Sequence, residues 1–438
     1  MRGSTGHIRG PRPSRRATVT GGEDASEVQE KEVTAIELDD AGAPHRVNEY
    51  AIGAELGRGA FARVYRGSKD GELFAIKVFN KSLLKRKQEF KRVGGRMVAT
   101  NAFQKVQKEV AIMKKLRHPN LTRLYEVIDS PEDDKLFLVL DLIAGGQLLL
   151  FDAKAQRYSY TRDGGAPSPG PVTPVDVIQD CLVDVAWGLD YLHRNLICHR
   201  DIKPENILVT EDEQYVLGDF GVAHMFSETD AELSLKSTEG TYHFLAPECT
   251  TGEPFDPFKV DVWALGVTLF AMVFGTTPFG ASAATPAEVL TAVRSDPLVF
   301  PNAVDPELQD LLERLLDKAP TSRLSISGLL VHPWLTASVV AAAKAPNVTD
   351  AIDVSGDEIA VAFTRNNKML LLTLLKLKLN AKLRRARASL AERAKADETA
   401  APTRPADDLP KPRRSSRQVS DVAIETRSPV GDPTCRLM

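Results

Sequence analysis

Apolar positions begin to recur regularly near Tyr50. Ile52, Leu56, Val64 and Tyr65, then Leu73, Ala75, Ile76 and Val78, lie in short runs separated by glycine turns, which predicts two or three β-strands. Residues 1–48 ahead of them are rich in Gly, Pro, Ser, Thr and charge and poor in aromatics, the composition of a disordered tail. After the strands, residues 80–106 carry Lys81, Lys85, Arg86, Lys87, Lys91, Arg92 and Arg96 against one acid, Glu89, and are broken by Gly94-Gly95. This basic stretch reads as an exposed insertion before a helix holding Glu109, Ile112, Met113 and Leu116. Strand-like runs follow at 121–128 and 136–140. Residues 150–174 turn irregular, with Gly164-Gly165 and Pro167, Pro169, Pro171 and Pro174, and read as a second surface insertion. Ile178, Leu182, Val185, Leu189 and Leu192 then recur at helical spacing, and residues 261–274 are so uniformly apolar that a helix buried on every side is expected. Further helices are expected at 286–295, 306–317 and 324–332, and the compact domain closes near His332-Pro333-Trp334. A separate region follows, and from about residue 396 a tail dense in Pro, Ser, Arg and Asp.

Composition changes this picture little. With 438 residues, 43% hydrophobic and 26% charged, the chain can build one large two-lobed domain or two ordinary ones, with tails to spare. A formal charge of −3 shows no global bias toward nucleic acid or a membrane surface. Cys181, Cys198, Cys249 and Cys435 have neither paired nor metal-type spacing, which argues for a reducing compartment, a cytoplasmic location, and against disulfides or zinc. The basic N-terminus, with Arg2, Arg9, Arg12, Arg15 and Arg16 before the first acid at Glu23, has the charge of a transit peptide. Its glycines and prolines break any amphipathic helix, so a disordered basic tail is expected.

The chemistry concentrates in residues 197–209, Ile-Cys-His-Arg-Asp-Ile-Lys-Pro-Glu-Asn-Ile-Leu-Val. The polar cluster His199-Arg200-Asp201, with Lys203 and Asn206, sits between apolar runs that can anchor both ends of a rigid loop. Asp219-Phe220-Gly221 follows a second apolar run. The intervals from Asp201 to Asn206 and to Asp219 match the catalytic and metal-binding loops of protein kinases, and on these motifs the chain resembles that family. The resemblance implies an α+β, two-lobed fold with a small β-rich lobe (49–142) and a larger helical lobe (143–335), and ATP with Mg2+ as cofactors. Leu56 and Gly57-Arg58-Gly59-Ala60-Phe61-Ala62-Arg63-Val64 resemble the glycine-rich loop over the nucleotide phosphates, with Ala62 in place of the third glycine. Lys77 would meet the α- and β-phosphates, with Glu109 as its helix partner in preference to Glu89. Asp201 would be the base for the substrate hydroxyl, and Asn206 and Asp219 the metal ligands. Lys203 is the form found in serine/threonine kinases. Thr238 stands where an activating phosphate would meet Arg200, and Thr241 would bond Lys203 and Asp201 in the substrate-docking turn. Glu248 with Arg323, and Asp261 under the catalytic loop, would be structural.

Within kinases, the basic insertion, residues 261–270, Leu315-Leu316-Asp317-Lys318 and His332-Pro333-Trp334 resemble the calcium/calmodulin-dependent protein kinase kinases over residues 48–390. Glu205 departs from that family's small residue and would favour a basic residue near the acceptor. The family implies an upstream kinase acting on the activation loops of other kinases, so that protein substrates, not nucleic acid, are expected. It also implies an autoinhibitory and calmodulin-binding region over residues 336–395. Met369 to Leu379 followed by Lys382, Leu383, Arg384, Arg385 and Arg387 suits a basic amphipathic helix, with Leu370 and Leu383 as end anchors. The basic tail 396–438 ends in Cys435-Arg436-Leu437-Met438, a prenylation pattern with a non-aliphatic Arg436, and Lys411, Arg413, Arg414 and Arg417 would assist peripheral membrane association. Two alternatives stand beside this expectation: a basic-directed kinase with unrelated substrates, and a pseudokinase scaffold.

Overall fold

The computed structural model describes residues 28–38, 44–59, 61–86, 88–93, 96–129, 134–160, 173–226 and 241–335, with 354, 358–359 and 362. Ala60, Thr238, Cys435 and the basic stretch 369–387 lie outside the described residues.

The chain enters the fold earlier than its composition suggests. Strands β1 (Gln29–Glu32), β2 (Ile36–Leu38) and β3 (Pro44–Val47) precede the predicted β4 (Tyr50–Arg58), β5 (Ala62–Lys69) and β6 (Glu72–Asn80). The expectation of disorder through residue 48 is therefore wrong for 28–38 and 44–48. β1 finds its hydrogen-bond partner in distant β9, while β2 and β3 pair in turn onto β4, a ladder that local composition does not reveal. The basic stretch forms helix α1 (Lys81–Arg86) and the hairpin β7 (Gln88–Val93) and β8 (Arg96–Asn101), then runs straight into α2 (Ala102–Met113). A capping box starts α2: the Asn101 side chain accepts from the Gln104 N–H, and the Gln104 side chain accepts from the Asn101 N–H. Glu109 thus lies in the second half of a helix that begins inside the stretch read as an insertion over 80–106. Strands β9 (Leu124–Asp129) and β10 (Lys135–Asp141) complete an eight-stranded sheet of order β1-β9-β10-β6-β5-β4-β3-β2.

That order bends the sheet. β1 and β2 occupy opposite edges yet are joined by only Val33, Thr34 and Ala35, so the sheet must curl until its edges meet. Asn48 sews the seam from the left-handed region, φ 48°. Its Oδ1 accepts from the Thr34 N–H at 2.8 Å, the Ala35 N–H at 3.2 Å and Thr34 Oγ1 at 3.0 Å, and its Nδ2 donates to the Glu32 carbonyl at 2.8 Å. Inside the curl, Val47, Tyr50, Ile76, Ile128, Phe137 and Val139 form a core of their own. The period of two along β6 and β10 sorts the remaining side chains. Ile76, Val78, Phe137 and Val139 fill this inner core, while Phe79, Leu136 and Leu138 join the main core, and Lys77 projects on their side. Both faces of the central strands are covered, and alternation aims the lysine at α2.

The larger lobe begins with the hairpin β11 (Leu149–Asp152) and β12 (Arg157–Tyr160), so the predicted irregular insertion is partly a sheet. Helix α3 (Val175–Arg194) carries the predicted apolar stripe. Short strands β13 (Ile197–Cys198), β14 (Ile207–Val209), β15 (Tyr215–Leu217) and β16 (His224–Met225) hold the catalytic loop at both ends, β14 on β15 and β13 on β16. Helix α4 (Pro257–Phe274) is buried nearly throughout, as its composition predicts. Asp256 and Pro257 start it, and Gly275 at φ 70° ends it. Gly266 lets α4 approach the next layer, since a Cβ there would lie 2.9 Å from the Cβ of Leu315. Helices α5 (Pro286–Ser295), α6 (Pro306–Leu315) and α7 (Ile326–Leu330) follow, and a turn at Pro333–Leu335 closes the domain where expected. Cys181, Cys198 and Cys249 are buried, and burial raises all three thiols, Cys249 to about 12, so they are core residues.

Asn48→Ala removes the side-chain hydrogen bonds at the seam and places alanine at positive φ. The expected loss is about 2 kcal/mol, from net contributions near 0.5–1.5 kcal/mol per bond for partly exposed groups. Urea unfolding of full-length protein reads this, and a loss under about 0.5 kcal/mol would show that the seam does not hold the small lobe together.

Candidate active site

Three chain segments meet at Lys77. Its Nζ lies 2.8 Å from Glu109 Oε1 and 3.2 Å from Asp219 Oδ1, which brings β6, α2 and the 219–221 turn to one point. Glu109 is therefore the partner; the side chain of Glu89 lies outside the described residues. Burial alone would lower the Lys77 pKa, but the two carboxylates outweigh it and hold the ammonium above its ordinary value. The Lys77 charge, ahead of the opposing effect of burial, lowers Asp219 to about 2. Burial dominates at Glu109 and pushes its pKa up despite Lys77. Two carboxylates and one ammonium leave the cluster acidic, and the Asp219 side chain remains 52% exposed, so its oxygens are open to a cation. Gly221 fits because a Cβ there would sit 3.3 Å from Asp219 Oδ1 and 3.8 Å from Glu109 Oε2.

A second network surrounds Asp201. Lys203 Nζ donates to Oδ2 at 2.7 Å and to Thr241 Oγ1 at 2.9 Å, and the Thr241 hydroxyl donates to Oδ1 at 3.0 Å. Asn206 Nδ2 donates to the Asp201 carbonyl at 2.7 Å and to Oδ2 at 3.0 Å, which leaves the Asn206 amide oxygen as an acceptor. The expected position of Thr241 is thus realised. Asn206 also reaches the 219–221 turn through its backbone, accepting the Gly218 N–H at 2.9 Å. The donor set, a carboxylate and an amide oxygen on adjoining turns, suits a hard divalent cation.

The loop keeps its shape because buried Asp261 accepts from its backbone. The N–H groups of His199 and Arg200 donate to Asp261 at 2.9 and 2.8 Å, and His193 Nε2 pairs with it at 2.9 Å. This holds Arg200 at φ 71°, an unfavourable conformation for a non-glycine residue. His199 is fully buried, which lowers its pKa; it packs edge-on to Phe220 at 5.1 Å and contacts the Gly218 carbonyl. Below the site, Arg323 meets Glu248 in two bonds of 2.6 and 2.9 Å and covers the ring of Trp263, as the sequence implies for a structural pair.

The glycine-rich turn spans the end of β4 and start of β5. Gly59 N–H donates to the Ala62 carbonyl at 2.8 Å, while Ala62 itself lies in extended strand backbone opposite Phe79. Alanine is tolerated at that third position because it needs no positive φ. A Cβ on Gly57 would meet nothing within 4 Å, so packing does not demand glycine there, whereas close approach of a phosphate to the backbone would. Leu56 is half exposed, and Arg58 folds back onto Glu55 at 2.9 Å. Arg63 lies near the same acid, and Val64 pairs with Lys77 across the strands.

Three contacts escaped the sequence reading. Lys108 Nζ lies 2.9 Å from His224 Nδ1 and ties α2 to the strand after the 219–221 turn. His193 supports Asp261; its place in the last turn of α3 was the available signal. The Tyr158 hydroxyl donates to Glu205 Oε1 at 3.2 Å, linking hairpin β11–β12 to the catalytic loop.

A family profile described as "Protein kinase domain" matches residues 50–335. The serine/threonine-protein kinase GRIK1 of Arabidopsis thaliana is 36% identical over 292 residues, covering 66% of this chain and 67% of its own length. The calcium/calmodulin-dependent protein kinase kinase of Caenorhabditis elegans is 35% identical over 307 residues, 66% of this chain and 53% of the relative. The serine/threonine-protein kinase ssp1 of Schizosaccharomyces pombe is 36% identical over 335 residues, 73% of this chain and 48% of the relative. The chain therefore spans from about half to two thirds of the length of these relatives. It belongs to the protein kinase family, as a serine/threonine protein kinase resembling the calcium/calmodulin-dependent protein kinase kinases.

Proposed function

We propose that the Asp201 network performs phosphoryl transfer from ATP to a serine or threonine hydroxyl. The observation that carries this is the joint capture of Asp201 by Lys203, Asn206 and Thr241 beside the Lys77–Glu109–Asp219 cluster. An acceptor hydroxyl would take the place of Thr241 on Oδ1 and lose its proton to Asp201. Lys203, already on Oδ2, balances charge there. Lys77 would bind the nucleotide phosphates. Asp219 and Asn206 would hold magnesium, which supplies neutralisation of phosphate charge when bound. This full set disfavours the pseudokinase scaffold.

We infer further that the chain acts upstream, on the activation loops of other kinases, and that calcium-loaded calmodulin binds near residues 360–390 and raises its activity. Support comes from the basic, leucine-rich pattern of 369–387 and from the likeness to a kinase whose name states calmodulin dependence. A second reading, basic-directed substrate choice, is favoured by Glu205. Its Oε1 is taken by Tyr158, and its Oε2 is buried with no hydrogen-bond partner among the described residues, an unmet acceptor that a substrate cation would satisfy once the hairpin tyrosine moves aside.

Asp201→Asn is expected to lower kcat by about a hundredfold or more, the contribution of a positioned base, and chelation of magnesium is expected to abolish phosphate incorporation. Incorporation by Asp201→Asn equal to the parent would reject the assignment of the base. Titrating the full-length protein with calmodulin should show binding and activation with calcium and neither with a calcium chelator. Calcium-independent behaviour would sink the regulatory reading. Against paired peptides with Arg or Ala near the acceptor, basic direction predicts a preference of about tenfold that Glu205→Ser erases, from a charge-assisted bond of about 1.5 kcal/mol. Equal use of both peptides by the parent rules that reading out.

A further inference from the structure

Lys114 and Lys115 end helix α2 and reach to opposite ends of the chain. Lys114 Nζ lies 2.5 Å from Glu30 Oε1 on β1, and Lys115 Nζ lies 2.7 Å from Glu358 Oε1. Both acids fall outside residues 50–335, the part that matches the kinase family, one ahead of it and one behind. The flanks bring apolar anchors as well. Val28 and Ala362, the latter 1% exposed, belong to the main core, and Val354 and Ile359 pack against it. The Ala362 N–H donates to the Ile359 carbonyl at 3.3 Å, so the end of this flank turns as it seats. The helix these contacts grip carries Glu109, the partner of Lys77, one and a half turns earlier. A slide or tilt at the end of α2 would be felt at that pair.

We propose that the two flanks are positioning elements for the reaction: Glu30 and Glu358, seated by Val28 and Ala362, hold the end of α2 so that Glu109 stays against Lys77. The division of labour follows from exposure. Lys115 and Glu358 keep 35% and 46% of their side-chain surface, and an ion pair that exposed shifts an equilibrium by no more than about fivefold. Apolar burial therefore holds the flank on the domain, and the charges select where α2 ends. This gives Val354, Glu358, Ile359 and Ala362 a sign opposite to the inhibitory role expected for 336–395. They support the active arrangement, and any inhibitory element lies elsewhere in that region. The proposal rests on reading Lys77 and Glu109 as the nucleotide-positioning pair.

The test uses the full-length chain with Glu30→Lys, Glu358→Lys, and the exchanged pairs Lys114→Glu with Glu30→Lys and Lys115→Glu with Glu358→Lys. Steady-state kinetics at varied ATP is combined with hydrogen exchange at the amides of 105–113. Each single reversal is expected to lower kcat/KM for ATP about threefold and to speed exchange in α2, and each exchanged pair to restore both, since only the sign of a weak pair is altered. Glu358→Gln and Glu30→Gln carry the same test if a reversed charge prevents folding. Unchanged kinetics and exchange in the single variants, failure of the exchanged pairs to restore them, or a rise in activity would each overturn the proposal. Lys77→Met tests the underlying reading separately: activity equal to the parent would refute the nucleotide pair, while the exchange result would still report on the grip itself.

Discussion

An ammonium group held between two carboxylates, one buried and one open to solvent, organises this protein. Lys77, Glu109 and Asp219 come from positions 32 and 142 residues apart, and none of the three charges is tolerable there without the others. Removing Glu109 would leave Lys77 leaning on Asp219 alone, and removing Lys77 would leave two acids facing each other. Much of the small lobe serves to deliver these groups. The two-sided filling of β6 and β10 fixes which way Lys77 points, and the capping box at Asn101 fixes where α2 begins.

The catalytic loop obeys a comparable rule with a different device. Asp261 lies wholly inside the protein and accepts from two successive backbone amides and a histidine ring. A buried carboxylate so fully occupied has one comfortable arrangement of its donors, and that arrangement includes Arg200 at positive φ. Rigidity at Asp201 is therefore inherited from a helix deep in the larger lobe. The Asp201 side chain itself stays in contact with groups that can exchange, a lysine, an amide and a hydroxyl, as the base proposed here would require.

The site was legible in the sequence because its residues are chemically specific and clustered. Asp201, Asn206 and Asp219 are spaced by backbone geometry that short strands enforce, and Lys77 and Glu109 follow once that frame is recognised. What could not be read depended on partners far along the chain. Residues 29–47 look like a tail because their strands are three or four residues long and carry few apolar side chains. β1 becomes structure only by pairing with β9, nearly a hundred residues on, and that anchors β2 and β3, which turn directly into β4. Tyr158 and Glu205 are equally silent: nothing local marks a hairpin tyrosine as the companion of a catalytic-loop acid. Glu109 does meet Lys77, but its place in the second half of α2 is not legible, because the apolar stripe alone marks a helix's face and not its first turn.

The seam at Asn48 has a consequence for how the molecule is made. β1 leaves the ribosome first, yet its parallel partner β9 is synthesised about a hundred residues later. Until then the inner core around Tyr50 and Ile76 lacks Ile128, Phe137 and Val139, and the small lobe cannot close. Such long-range pairing slows folding and leaves strand edges open to neighbouring chains during synthesis. Once formed, β1 and β2 are the two edges of the sheet, and at four and three residues they leave little strand for a neighbouring chain to pair with.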